Sequence, residues 1–135
     1  MPASAEPSTD WPEDCEYRYV FKAHGQPVAG DTTKYEMPAG NEYNIGFYFR
    51  VPWDAESVQL LKSHELIDNK SILHHWMLYT VTGSTMTDGE FSGGPDKFNG
   101  DYAAQPKYLL GGVPGATDFT MPEDVGLRVP SGQNG

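Results

Sequence analysis

Residues 43–51 read Tyr-Asn-Ile-Gly-Phe-Tyr-Phe-Arg-Val. Tyr43, Ile45, Phe47, Phe49 and Val51 alternate with Asn44, Tyr48 and Arg50, and Pro52-Trp53-Asp54 ends the run. A period of two sends successive side chains to opposite faces, the pattern of a half-buried strand. The same period recurs in Glu16 to Ala23, where Tyr17, Tyr19, Phe21 and Ala23 share one face and Glu16, Arg18 and Lys22 the other. Val125, Leu127 and Val129 alternate once more. Thr32 to Met37 reads as a short strand, and Ser57 to Ile67, which alternates weakly through Val58 and Leu60, also leans to strand. Between these runs stand turn signals such as Gly25-Gln26-Pro27, Pro38-Ala39-Gly40-Asn41, Asp88-Gly89 and Asn99-Gly100. With 15 glycines, 11 prolines and 13% aromatic residues, no segment sustains a helical period. The expected fold is all-β: an antiparallel, jelly-roll-like β-sandwich of about seven strands, with a long Gly-rich loop from Gly83 to Pro106. Residues 1–14, rich in Pro, Ala, Ser and Glu, read as a flexible leader, and residues 15–135 as one domain.

Charge narrows the partners. The chain carries 19 acidic and 9 basic residues, a formal net charge of −10, which argues against nucleic acid and anionic membranes. No apolar run is long enough to span a bilayer. The first residues lack the basic and apolar regions of a signal peptide. Cys15 is the single cysteine, so no disulfide closes within the chain.

The chemistry concentrates in Ser71-Ile72-Leu73-His74-His75-Trp76-Met77-Leu78-Tyr79-Thr80-Val81. This run is apolar on both faces, which predicts a central strand covered on both sides. Imidazole is the commonest metal ligand and is costly to bury without a partner. On a regular strand His74 and His75 point to opposite faces. Both reach one metal only where the strand kinks, bulges or ends, and ligation through Nδ1 shortens the reach. The local sequence alone favours a plainer reading, in which one histidine is buried and hydrogen-bonded and the other exposed. His24, in a Gly/Pro turn, and His64, between Ser63 and Glu65, read as surface residues. Asn69-Lys70-Ser71 matches a glycosylation sequon. No nucleophile elbow, Walker loop or dinucleotide fingerprint is present.

Phe49-Arg50-Val51-Pro52, the strand Leu73-His74-His75-Trp76-Met77-Leu78-Tyr79, and then Pro122-Glu123-Asp124-Val125-Gly126-Leu127-Arg128-Val129 occur in an order that resembles the copper type II, ascorbate-dependent monooxygenases. That family includes peptidylglycine α-hydroxylating monooxygenase and dopamine β-monooxygenase. The likeness runs loosely from Cys15 to the C-terminus, and only the quoted segments are specific. It implies the N-terminal β-sandwich domain, with His74 and His75 as two ligands of a copper that takes electrons from ascorbate. It places no catalytic residue in this chain. The third histidine is expected after the Val-Gly-Leu-Arg element, beyond Gly135, as are the C-terminal domain with its second copper, the partner of Cys15, and the residues that select a small-molecule or peptide substrate. Here Trp76 intervenes between the pair and Met77, so Met77 reads as core rather than as a ligand; in the family the Met after the pair is likewise not a ligand. The resemblance thus implies a secreted, periplasmic or extracellular enzyme of which this chain is a piece: inactive alone, lacking a closing strand and prone to associate through the exposed edge.

Two other readings stand beside it. One is a non-catalytic secreted β-sandwich binding module that holds Ca²⁺ through the acidic loop from Asp88 to Asp101, although no EF-hand spacing appears there. The other is a structural domain that kept the fold and lost the metal.

Overall fold

A computed structural model describes residues 15–95, 105–116 and 118–131. Among these the secondary structure is all β, with no helix and hence none long and apolar enough to cross a membrane. Eight strands form in order: β1 (Tyr43–Phe47), β2 (Ser57–Leu60), β3 (Lys62–Ser63), β4 (Trp76–Thr82), β5 (Phe91–Pro95), β6 (Gln105–Gly112), β7 (Phe119–Thr120) and β8 (Leu127–Pro130). They associate as two-stranded ladders, β1 with β5, β2 with β8, β3 with β7 and β4 with β6. The first three ladders are antiparallel. This is the expected fold class, with one strand more than the alternation suggested. The count is reached differently, however: the expected strands at 16–23 and 32–37 do not form, β5 and β7 arise outside the alternating runs, and 57–67 divides at Leu61. β2 pairs with β8 and β3 with β7, while the Leu61 carbonyl accepts a hydrogen bond from Met121 N–H at 2.8 Å.

The chain divides into two compact units. The described part of the first comprises Tyr19–Pro52, 83–95 and 105. Its β1–β5 ladder runs from Tyr43 opposite Pro95 to Phe47 opposite Phe91. The facing Phe47 and Phe91 rings lie 5.4 Å apart, and Tyr35 meets both edge-on. This aromatic cluster is what the alternation of residues 43–51 was built to supply. Gly93 allows the two strands to approach. Its φ is 143°, and a Cβ there would fall 2.0 Å from the Asn44 carbonyl oxygen.

The second unit comprises, among described residues, 15–18, Trp53–Thr82, 106–116 and 118–131. Its most buried side chains are Leu110 on β6 and Val129 on β8, 5% and 2% exposed. Val129 sits opposite Val58 in the β2–β8 register.

Three expected strands differ. Glu16 to Ala23 alternates correctly but forms no ladder, and Tyr17 and Phe21 remain 57% and 42% exposed. Thr32 to Met37 is also irregular. Alternation states only that a segment suits a sheet; a partner strand must still accept its backbone groups. The run from Ser71 is not a strand covered on both sides. β4 begins at Trp76, has β6 as its one neighbour, and leaves Met77 and Tyr79 exposed. The stretch expected to be one long loop carries β5 at its centre, and residues 96–104 lie outside the described part.

Candidate metal centre

His74 and His75 stand in irregular backbone directly before β4, and both are exposed. The alternative of one buried and one exposed histidine is therefore not what forms. Freed from the two-fold alternation of a strand, the side chains converge. The two Nδ1 atoms are 3.0 Å apart, and the rings meet edge to face with centroids 5.0 Å apart. Without a metal, one Nδ1–H donates to the lone pair of the other Nδ1. A metal at an imidazole bond length of about 2.0 Å from each nitrogen would subtend roughly 97° at this 3.0 Å separation. That lies between the square and tetrahedral angles, so the separation alone is compatible with two adjacent positions around a metal ion once the Nδ1–H is lost and both lone pairs turn toward it.

The pair is anchored on its C-terminal side. Trp76 opens β4, and its indole Nε1–H donates to Glu65 Oε2 at 2.5 Å. Gly112 on β6 lies against both groups: a Cβ there would be 2.9 Å from Glu65 Oε2 and 3.0 Å from Trp76 Nε1. Next to it, a Cβ on Gly111 would meet the Trp76 carbonyl oxygen at 2.7 Å. Only glycines let β6 pass this close to the residue following the histidines. Sequence reading took Trp76 as an interruption of the motif. Its hydrogen bond to a carboxylate eleven residues away leaves no local signature.

No cluster of three His, Cys, Asp or Glu side chains able to hold a metal occurs among the described residues. Cys15 is half-buried and a free thiol. His74 and His75 thus present two nitrogens and no third side-chain ligand from this set.

The other histidines are more engaged than their sequence context suggested. His64 is partly exposed, but Nδ1 lies 2.5 Å from Asp118 Oδ1. Lys62 Nζ stands 3.7 Å from the other oxygen of that carboxylate. The Asp118 carboxyl is held below its ordinary value of 3.8, first by the hydrogen bond from His64 and then, more weakly, by the neighbouring charges. His24 corrects the surface reading outright, being 4% exposed. Its Nδ1 faces the Lys22 carbonyl at 2.9 Å and its Nε2 the Gly89 carbonyl at 2.6 Å. The rings of Phe47, Phe49 and Phe91 surround it at 5.4, 5.7 and 5.9 Å. A Gly/Pro turn gives no hint that residues sixty-five positions away will cover it.

In the acidic loop, Asp88 Oδ1 accepts the Arg50 N–H at 2.9 Å. Glu90 Oε2 accepts both the N–H and the hydroxyl of Thr87. Glu90 thus caps its own turn, while Asp88 caps backbone thirty-eight positions away in sequence. Asp96 and Asp101, the other acids of the calcium reading, lie outside the described residues.

No protein-family model, curated protein or solved structure matches this chain.

Proposed function

We propose that this chain is a copper-binding domain of a copper- and ascorbate-dependent monooxygenase, with His74 and His75 as adjacent ligands. The observation that carries the reading is the 3.0 Å separation of their Nδ1 atoms. The sequence order of Val51-Pro52, the histidine pair and Asp124-Val125-Gly126-Leu127-Arg128 supports it, as does the all-β fold. Bound copper would supply one-electron redox chemistry at this surface. The residues of this chain bind and orient: two neutral imidazoles offer lone pairs, and the Trp76–Glu65 hydrogen bond fixes the backbone that carries them. On this reading the resemblance implies a third imidazole, a second copper and substrate-selecting residues in a secreted protein that hydroxylates a C–H bond with O₂.

Affinity for copper, measured by competition with a chelator of known strength, tests the proposal. The double variant His74→Ala, His75→Ala should lose at least about 100-fold in affinity, in line with removal of the ligands themselves. Unchanged affinity would refute it.

A further inference from the structure

We infer that His64 and Asp118 form a general-base dyad that activates water against a small acyl ester held in the cavity they line. The dyad includes neither His74 nor His75, although Glu65, whose carboxylate holds Trp76, also lines this cavity.

The ladder creates the pair. β3 and β7 are antiparallel, with Lys62 opposite Thr120 and Ser63 opposite Phe119. One step further sets residue 64 opposite residue 118, and the two side chains, fifty-four positions apart in sequence, meet at 2.5 Å. An imidazole nitrogen this close to a carboxylate oxygen donates to it, so Nδ1 carries the hydrogen and, in the neutral ring, the lone pair is on Nε2. Nε2 has no hydrogen-bond partner among the described residues. Lys62 steadies the far oxygen of Asp118. A carboxylate that holds imidazole in one tautomer and orientation, with the second nitrogen available, is the arrangement of a general base.

Both residues line a half-open surface cavity of about 150 Å³ together with Glu65, Ile67, Lys70, Gly115 and Ala116. Its size suits a short acyl group rather than a drug-sized ligand. Ile67 and Ala116 offer apolar surface to the acyl chain. The Lys70 ammonium, which makes no ion pair among the described residues, is a cation for a developing oxyanion. In the step, His64 Nε2 takes a proton from water as the water oxygen bonds to the acyl carbon. The carbonyl π pair moves onto oxygen, and collapse of that oxyanion breaks the bond to the leaving alkoxide. The leaving group recovers the proton from the imidazolium, giving one acid and one alcohol.

Hydrolysis of p-nitrophenyl acetate by the full chain tests this, with thermal melting followed by circular dichroism to show that each variant is folded. The dyad predicts a rate that saturates with ester. His64→Gln should lower kcat/KM by about 100-fold or more, and Asp118→Asn, which upsets the tautomer, by at least tenfold. A rate linear in ester, or His64→Gln at the wild-type rate in a folded protein, would overturn the inference.

Discussion

The Nε2 of His24 lies 2.6 Å from the Gly89 carbonyl oxygen, joining a turn early in the chain to a residue two positions before β5. The ring is buried among Phe47, Phe49 and Phe91, and its Nδ1 faces a second carbonyl, that of Lys22. Truncating it removes packing and leaves these carbonyls without their partner in an apolar setting. His24→Ala should therefore lower the unfolding free energy by about 2–4 kcal/mol. Urea denaturation checks this; an unchanged midpoint would contradict the buried placement.

Gly93 and Gly94 are neighbours on β5 with opposite prospects. At Gly93 an alanine would need a left-handed φ and would drive its Cβ onto the Asn44 carbonyl, whereas at Gly94 nothing lies within 4 Å. Gly93→Ala should cost several times more stability than Gly94→Ala, which should fall within about 1 kcal/mol of wild type. Equal melting temperatures for the two variants would contradict the β1–β5 register.

The Trp76–Glu65 hydrogen bond should respond to what remains at position 65. Glu65→Gln keeps an acceptor for the indole N–H, while Glu65→Ala leaves that donor without one. The alanine variant should lose about 1–2 kcal/mol and the glutamine variant less than half of that. Chemical denaturation of the pair measures the difference, and a larger loss for glutamine would count against the geometry.

Acid should weaken the fold through two carboxylates. Asp31 is held below 3.8 chiefly by the Thr33 hydroxyl and then by the Gln26 N–H, and Asp118 is lowered by His64. A carboxyl whose folded value lies below its unfolded value stabilises fully above the ordinary carboxylate range, and that contribution is lost as pH falls through the folded value. Urea midpoints between about pH 5 and pH 2 should therefore drop more steeply for wild type than for Asp31→Asn. Parallel slopes would show that Asp31 is not so held.

The parts of this molecule legible in sequence are those set by short-range pattern. Tyr43–Phe47 alternates and becomes β1, Leu127 and Val129 alternate and lie on β8, and Gly and Pro mark the turns between. Where partner choice decides, pattern fails. Tyr17 and Phe21 have strand periodicity without a strand, and the His74–His75 run is interrupted because β4 starts only at Trp76. The convergence of the two Nδ1 atoms follows from that late start, so the feature most useful to a metal came from the part of the strand expectation that did not hold. His64 with Asp118, and His24 with Gly89, are contacts across 54 and 65 positions. Neither residue's neighbours in sequence encode its partner.

Copper ligation by the histidine pair is most directly read by pulsed electron paramagnetic resonance of the chain loaded with one equivalent of Cu²⁺. The account predicts modulation from the remote nitrogens of two imidazoles, reduced to one in either His74→Ala or His75→Ala and abolished in the double variant. The same two-imidazole signal surviving in the double variant would contradict it.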